Sequence, residues 1–299
     1  MLQELRSSDK IKLGGLLIFI GKDEEKYSGI RHLYEHLLIR SDKNRRICGG
    51  LTREDYIYLG ILLKDDYHNE IRNIFKDFYV DEKLMNEEKI KVLKEVKKEK
   101  PENNIVVKIM KELGYDKNFV GDIKELNLIR KEDIIELNEK AKTKTIIVSL
   151  DRKVILINKG QNGDVIRNKK IIRTGSIGYK GVRLNYVISK GYNIENMIIN
   201  YFMNIMNITT FYQRNKYGDL LIYEKSLKGI IKEIENNIKK MKKSIIEKEY
   251  GINKKEYMNE IRDCEDMYFY AKTREEMIKD IKEISVEKIK EYINEWMDL

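Results

Sequence analysis

Proline is almost missing from this chain, with one residue, Pro101, among 299. An average composition would hold about 15, so collagenous, mucin-like and proline-linker architectures are excluded. Cysteine is scarce as well. The two cysteines, Cys48 and Cys264, form no CxxC pair and cannot build a disulfide framework. Long apolar runs are absent. The longest, Leu13 to Ile20, contains two glycines and falls short of the roughly 20 residues that a membrane-spanning helix needs. The segment MLQELRSSDK lacks the apolar centre of a secretory signal. Together these absences predict a reducing, cytoplasmic setting with no membrane partner.

Charge is what the chain has in plenty. Its 59 basic and 50 acidic residues leave a net charge of +9, and charged residues make up 36%. Hydrophobic residues, at 41%, still supply a core, which excludes intrinsic disorder. The positive balance raises nucleic-acid binding, but its distribution opposes it. Lys232, Glu233, Glu235, Lys239, Lys240 and Lys243 mix both signs, and Glu235 and Lys239 stand at i,i+4 as on a solvated helix face. The densest basic stretch, Arg167 to Arg173, has no aromatic residue on which a base could stack. No nucleic-acid partner is expected, whereas acidic peptides are compatible with the charge.

Hydrophobic periodicity alternates strands with long helices. Leu13 to Ile20, Tyr56 to Leu63, Thr145 to Leu150, Val182 to Ser189 and Leu220 to Tyr223 read as strands. Helices are predicted from a Ser28 cap to about Ile39, over Tyr67 to Tyr79, over Asn86 to Lys100 before Pro101, and over Ile105 to Leu113. Others span Lys131 to Lys140, Ile194 to Ile208, the stretch beyond Ser226, and Val286 to Met297 with Trp296. Gly49-Gly50 reads as a turn. Gly, Asn and Lys dominate 151–181, where a boundary belongs. The expected fold is α+β in two domains, 1–151 and 152–299.

Histidine is rare, which makes its placement informative. Of three histidines, two lie four apart with a glutamate between, in His32-Leu33-Tyr34-Glu35-His36. On a helix, i and i+4 share a face one turn apart, so two imidazoles can grip one Zn²⁺. Glu35 stands beside that face, where an acid can accept a proton from water and return it to a leaving amine. HxxEH is the inverzincin order. Chance could also produce it, because it fixes only three positions. His68 reads as a surface residue. A catalytic zinc needs a third protein ligand, and no other histidine or cysteine is well placed. Glu87, Glu88, Glu95 and Glu99 are the carboxylates of the Asn86 to Lys100 helix, and spacing alone does not choose among them.

The surrounding residues do. Gly29-Ile30-Arg31-His32-Leu33-Tyr34-Glu35-His36-Leu37-Leu38 resembles the Gly-x-x-His-x-x-Glu-His block of the pitrilysin/insulinase family of zinc peptidases. Gly21 fits the turn that precedes that block. Gly49-Gly50-Leu51-Thr52 through Tyr58 looks like the family's glycine turn and Thr-x-x-x-x-x-Tyr strand. Glu88 to Glu95 resembles its helix with two glutamates seven apart, which implies Glu95 as zinc ligand and Glu88 as supporting acid. Gly121 to Asp151 resembles the segment closing the first family domain, and Arg214 to Gly218 the Arg-x-x-x-Gly turn. The resemblance thus implies Zn²⁺ held by His32, His36 and Glu95, with Glu35 as proton carrier.

Arg214 and Tyr223 are the implied substrate-binding pair, with Tyr217 the alternative to Tyr223, because Leu221 stands where the family has its tyrosine. Tyr56 and Tyr58 are further contact candidates, although sheet packing is the preferred reading of each. The His36–Glu95 stretch is shorter than usual, and the Asn-Ala before the family's Thr strand is absent. A chain of this size is similar to half a clamshell, which implies a homodimer or a heterodimer. The implied activity is a zinc metalloendopeptidase acting on small or unfolded peptides, possible leader peptides among them. The alternative is a non-catalytic structural subunit of a heterodimeric peptidase.

Overall fold

The computed structural model describes residues 12–21, 24–43, 46–53, 55–63, 67–99, 105, 108–109, 120–150, 153–158, 170–179, 181–190, 194–205, 210–213, 219–223, 228–251 and 256–297. The chain divides into two units, Met1–Asn162 and Gly163–Leu299. Each is an antiparallel sheet with helices packed against it, the α+β arrangement expected.

The first unit is built on five strands, β1 (Lys12–Ile18), β2 (Ile47–Thr52), β3 (Ile57–Leu63), β4 (Ile146–Leu150) and β5 (Lys153–Asn158), ordered β2-β3-β1-β4-β5. β1 lies centrally because it is apolar almost throughout; Leu16, Leu17 and Ile18 have no exposed surface. Accompanying the sheet are the helices α1 (Ile30–Ser41), α2 (Tyr67–Lys76), α3 (Glu82–Glu99), α4 (Ile123–Leu128) and α5 (Lys131–Thr143). Leu33, Leu37 and Leu38 of α1 join Leu16, Ile57, Leu59, Val92 and Leu137 in one core. Each such side chain contributes about 1.5–3 kcal/mol through burial.

Local chemistry moved several boundaries. α3 begins at Glu82 rather than Asn86, because Asp81 accepts from the Leu84 amide at 2.7 Å and caps the helix. Ser28 does not cap α1: its amide donates to Glu125, and Gly29, at φ 88°, precedes the helix. Gly49-Gly50 is not a turn. Both lie in β2, opposite Gly60 and Leu59; the reversal comes later, where the Arg53 amide bonds the Tyr56 carbonyl at 2.9 Å. β5 pairs with β4, so the first unit extends past the boundary drawn at 151. Most of Ile105 to Leu113 lies outside the described residues.

Arg31 ties three segments to α1. It has no exposed surface, and it donates to Glu25 at 2.8 Å, to the Ile20 carbonyl at 3.0 Å and to the Arg53 carbonyl at 2.7 Å. These three bonds offset part of the cost of burying a guanidinium, while its Nη2 has no hydrogen-bond partner among the described residues.

The second unit has four strands, β6 (Lys170–Tyr179), β7 (Val182–Lys190), β8 (Thr210–Gln213) and β9 (Asp219–Tyr223), ordered β6-β7-β9-β8. Its helices are α6 (Ile194–Ile205), α7 (Lys228–Tyr250), α8 (Glu256–Glu265), α9 (Arg274–Glu283) and α10 (Val286–Met297). Ile198, Ile234, Met241, Ile245, Ile281 and Ile293 are buried among them. A π-helical turn, Asp266–Tyr270, follows α8, with Asp266 held by the Tyr250 hydroxyl at 2.9 Å. No helix among the described residues is long and apolar enough to cross a membrane.

Gly29 sets the entry angle of α1. A Cβ there would lie 2.5 Å from the Gly121 Cα, on top of its left-handed backbone. Gly29→Ala should therefore destabilise the protein by at least about 2 kcal/mol, combining conformational strain and overpacking. Urea unfolding measures it; an unchanged midpoint would show that α1 does not need this close approach.

Candidate metal centre

α1 presents His32 and His36 one turn apart, and α3 crosses close enough to bring Glu95 to both. The Glu95 Oε2 atom lies 3.2 Å from His32 Nε2 and 3.6 Å from His36 Nε2. One donor atom from each of the three residues falls within 4.8 Å of the others. The remaining imidazole nitrogens are already engaged. His32 Nδ1 is 3.0 Å from the Val120 carbonyl, which can only accept, so Nδ1 donates, and in the neutral imidazole Nε2 then carries the lone pair. His36 Nδ1 lies 3.2 Å from Glu88 Oε2 and donates likewise. Second partners of this kind fix the tautomer and ring orientation of metal-binding histidines.

Glu88 and Glu95, both on α3, have opposite surroundings. Glu88 is buried, at 1% exposure, and its other oxygen takes Arg40 Nε at 3.1 Å and Lys91 Nζ at 2.6 Å. Those cations offset the cost of burying its charge. The Glu95 side chain is 47% exposed, so it retains freedom to turn toward a ligand. Glu87 is exposed and joins no such cluster.

Glu35 sits deeper, at 5% exposure. It does not pair with Arg31 or Arg40, which serve Glu25 and Glu88. Instead the Thr52 hydroxyl donates to its Oε2 at 2.6 Å. Burial pushes the Glu35 carboxyl up from its ordinary range, against the opposing pull of the Thr52 hydroxyl, His32 and the Thr52 amide. Glu95 adds repulsion that also raises it. Among the described residues neither Glu35 nor Glu95 has a lysine or arginine partner. A cavity of about 300 Å³ opens between these residues and Gly50, Leu51 and Thr52 of β2. Two imidazole nitrogens converging on one exposed carboxylate are a donor set that suits Zn²⁺.

Other expected site residues fall elsewhere. Arg214 and Tyr217 lie outside the described residues. Tyr223 ends β9 in the second unit, half-buried, and burial raises its phenol. Tyr56 and Tyr58 are 3% and 4% exposed. Tyr56 packs edge-to-face on Phe19 at 5.7 Å and Tyr58 lies within β3, so packing in the first unit accounts for their burial. His68 is exposed, as expected. Sequence reasoning assigned no role to Thr52 or to the Val120 carbonyl. Thr52 stood in the quoted strand motif, while a backbone carbonyl from a distant segment leaves no sequence signal.

No family model and no curated protein matches this chain. Solved structures do. A protease from Helicobacter pylori superposes with a TM-score of 0.55 at 13% identity, covering 96% of this chain and 91% of its own. A peptidase M16 inactive domain from Pseudomonas fluorescens gives 0.57 at 10% identity, with coverages of 96% and 90%. The periplasmic protease PqqL from Escherichia coli gives 0.54 at 10% identity, and there this chain spans 96% of itself but 44% of PqqL. The chain has the fold of M16-like peptidases. With one of these neighbours an inactive domain, that fold leaves catalysis to be argued from the site.

The raised Glu35 carboxyl has a consequence for stability. The folded state binds its proton more readily than the unfolded state, so folding is penalised as pH rises past the ordinary carboxylate range. In metal-free protein, Glu35→Gln should be more stable than wild type at pH 7. That gain should shrink as pH falls and vanish below about pH 4. Urea melts across this range test it; a gain that grows on acidification would contradict the stated cause.

Proposed function

We propose that this chain is a zinc-dependent endopeptidase acting on small or unfolded peptides, with leader-peptide processing as one such role. The observation that carries the reading is the convergence of both free imidazole nitrogens and Glu95 beside a buried carboxylate, Glu35. His32, His36 and Glu95 would hold the ion, with Glu88 orienting His36. Zn²⁺ so held supplies Lewis acidity to a scissile carbonyl and to an attacking water.

The chain's own residues do the rest. Glu35 accepts the proton of that water and delivers it to the departing amine, a task its raised proton affinity suits. The Thr52 hydroxyl keeps the carboxylate turned toward β2 throughout. β2 is the terminal strand of its sheet, and among the described residues its outer edge has no strand partner. An extended peptide would add there through backbone hydrogen bonds, next to the cavity. Gly49 and Gly50 offer this edge without side chains in place of Asn-Ala. By resemblance, Arg214 and Tyr223 are assigned to substrate binding.

The assembly we infer is a pair of such chains, or this chain with a second unit of the same fold. The 44% span on PqqL supports reading this chain as one unit of a larger arrangement. Cytoplasmic residence belongs to the same reading and rests on the sparse cysteines.

Zinc-loaded wild type and Glu35→Gln, incubated with a mixture of unstructured peptides and followed by mass spectrometry, test the function. Wild type should cleave. Glu35→Gln should be about 10²–10⁴-fold slower with equal zinc content, the usual worth of a positioned acid–base. Equal rates, or a zinc-bound wild type that cleaves nothing, would overturn it in favour of a structural subunit.

A further inference from the structure

Glu35 issues from α1, yet what fixes its carboxylate belongs to β2. Thr52 donates its hydroxyl to Oε2 at 2.6 Å. Gly50, two residues earlier on the same face of the strand, supplies the space. A Cβ on Gly50 would lie 2.6 Å from Glu35 Oε1, 2.8 Å from its Cγ and 3.0 Å from its Cδ. The carboxylate therefore lies flat on bare strand backbone, in the volume that any larger residue would fill. Arg31, one helical turn before Glu35, grips the Arg53 carbonyl just past Thr52 at 2.7 Å. The helix that carries the acid thus also holds the end of the strand that receives it.

We infer that Thr52 and Gly50 are positioning residues that seat the Glu35 carboxylate against β2, with Arg31 holding the strand end in register. This rests on the peptidase reading for its catalytic consequence, but the seating itself is a property of the metal-free protein. Glu35 is a long side chain whose rotamers compete; a strong hydrogen bond on one oxygen and a backbone floor under the other select one of them. Misplacing a reacting group by about 1 Å costs on the order of 100-fold in rate. The Gly50 position is then constrained by the carboxylate, which explains a glycine inside a strand, where glycine is otherwise unfavourable.

Thr52→Val, Thr52→Ser and Gly50→Ala test the inference by two readouts. In crystal structures of the metal-free variants, Glu35 should leave the β2 backbone in Thr52→Val and Gly50→Ala and keep its place in Thr52→Ser. With zinc and a peptide that wild type cleaves, Thr52→Val and Gly50→Ala should lose about 10- to 100-fold in kcat. KM and zinc content should stay at wild-type values, and Thr52→Ser should recover most of the rate. An unmoved Glu35 in Thr52→Val, or an unchanged kcat, would overturn the positioning role. If zinc-loaded wild type cleaves no peptide, the peptidase reading falls alone, and the metal-free structures still decide the seating.

Discussion

Two imidazoles on one helix can meet a distant carboxylate only if their helices are locked in register, and the crossing of α1 and α3 is that constraint. It is secured at both ends. Gly29 lets α1 start against Gly121, and the buried Glu88 of α3 reaches His36 and Arg40 together. Val92 and Val96, on the apolar side of α3, pack into the same core as Leu33 and Leu37. Glu95 then arrives beside His32 and His36 without being buried itself.

Electrostatics divides the three glutamates into different roles. Glu88 is neutralised by Arg40 and Lys91 and acts as a fixed acceptor. Glu95 is exposed and, among the described residues, has no lysine or arginine partner, as suits a residue waiting for a metal. Glu35 is desolvated, held by Thr52 and pushed toward protonation, the combination expected of a group that gives and takes protons near neutral pH. Environment, more than residue type, assigns the chemistry.

The pair of histidines was legible because helical periodicity alone puts i and i+4 on one face. The third member of the cluster was not legible from periodicity: Glu88 and Glu95 share a face, and only the depth of each separates the acid that meets His36 Nδ1 from the one beside both Nε2 atoms. Family resemblance supplied the order that spacing withheld. Gly49-Gly50 misled, since glycine pairs signal turns, whereas here Glu35 demands bare backbone inside a strand. The Asp81 cap was passed over because the apolar pattern of α3 begins later than its hydrogen bonds. Val120 contributes only a carbonyl, and no side-chain pattern announces that.

The central claim is that one divalent ion is held by His32, His36 and Glu95. The zinc-edge X-ray absorption spectrum of stoichiometrically loaded protein tests it most directly. It should show two imidazole nitrogens with oxygen completing the shell, and Glu95→Ala should lose ion affinity while keeping both imidazoles. A shell containing thiolate sulfur, or no uptake of zinc by the folded protein, would contradict it.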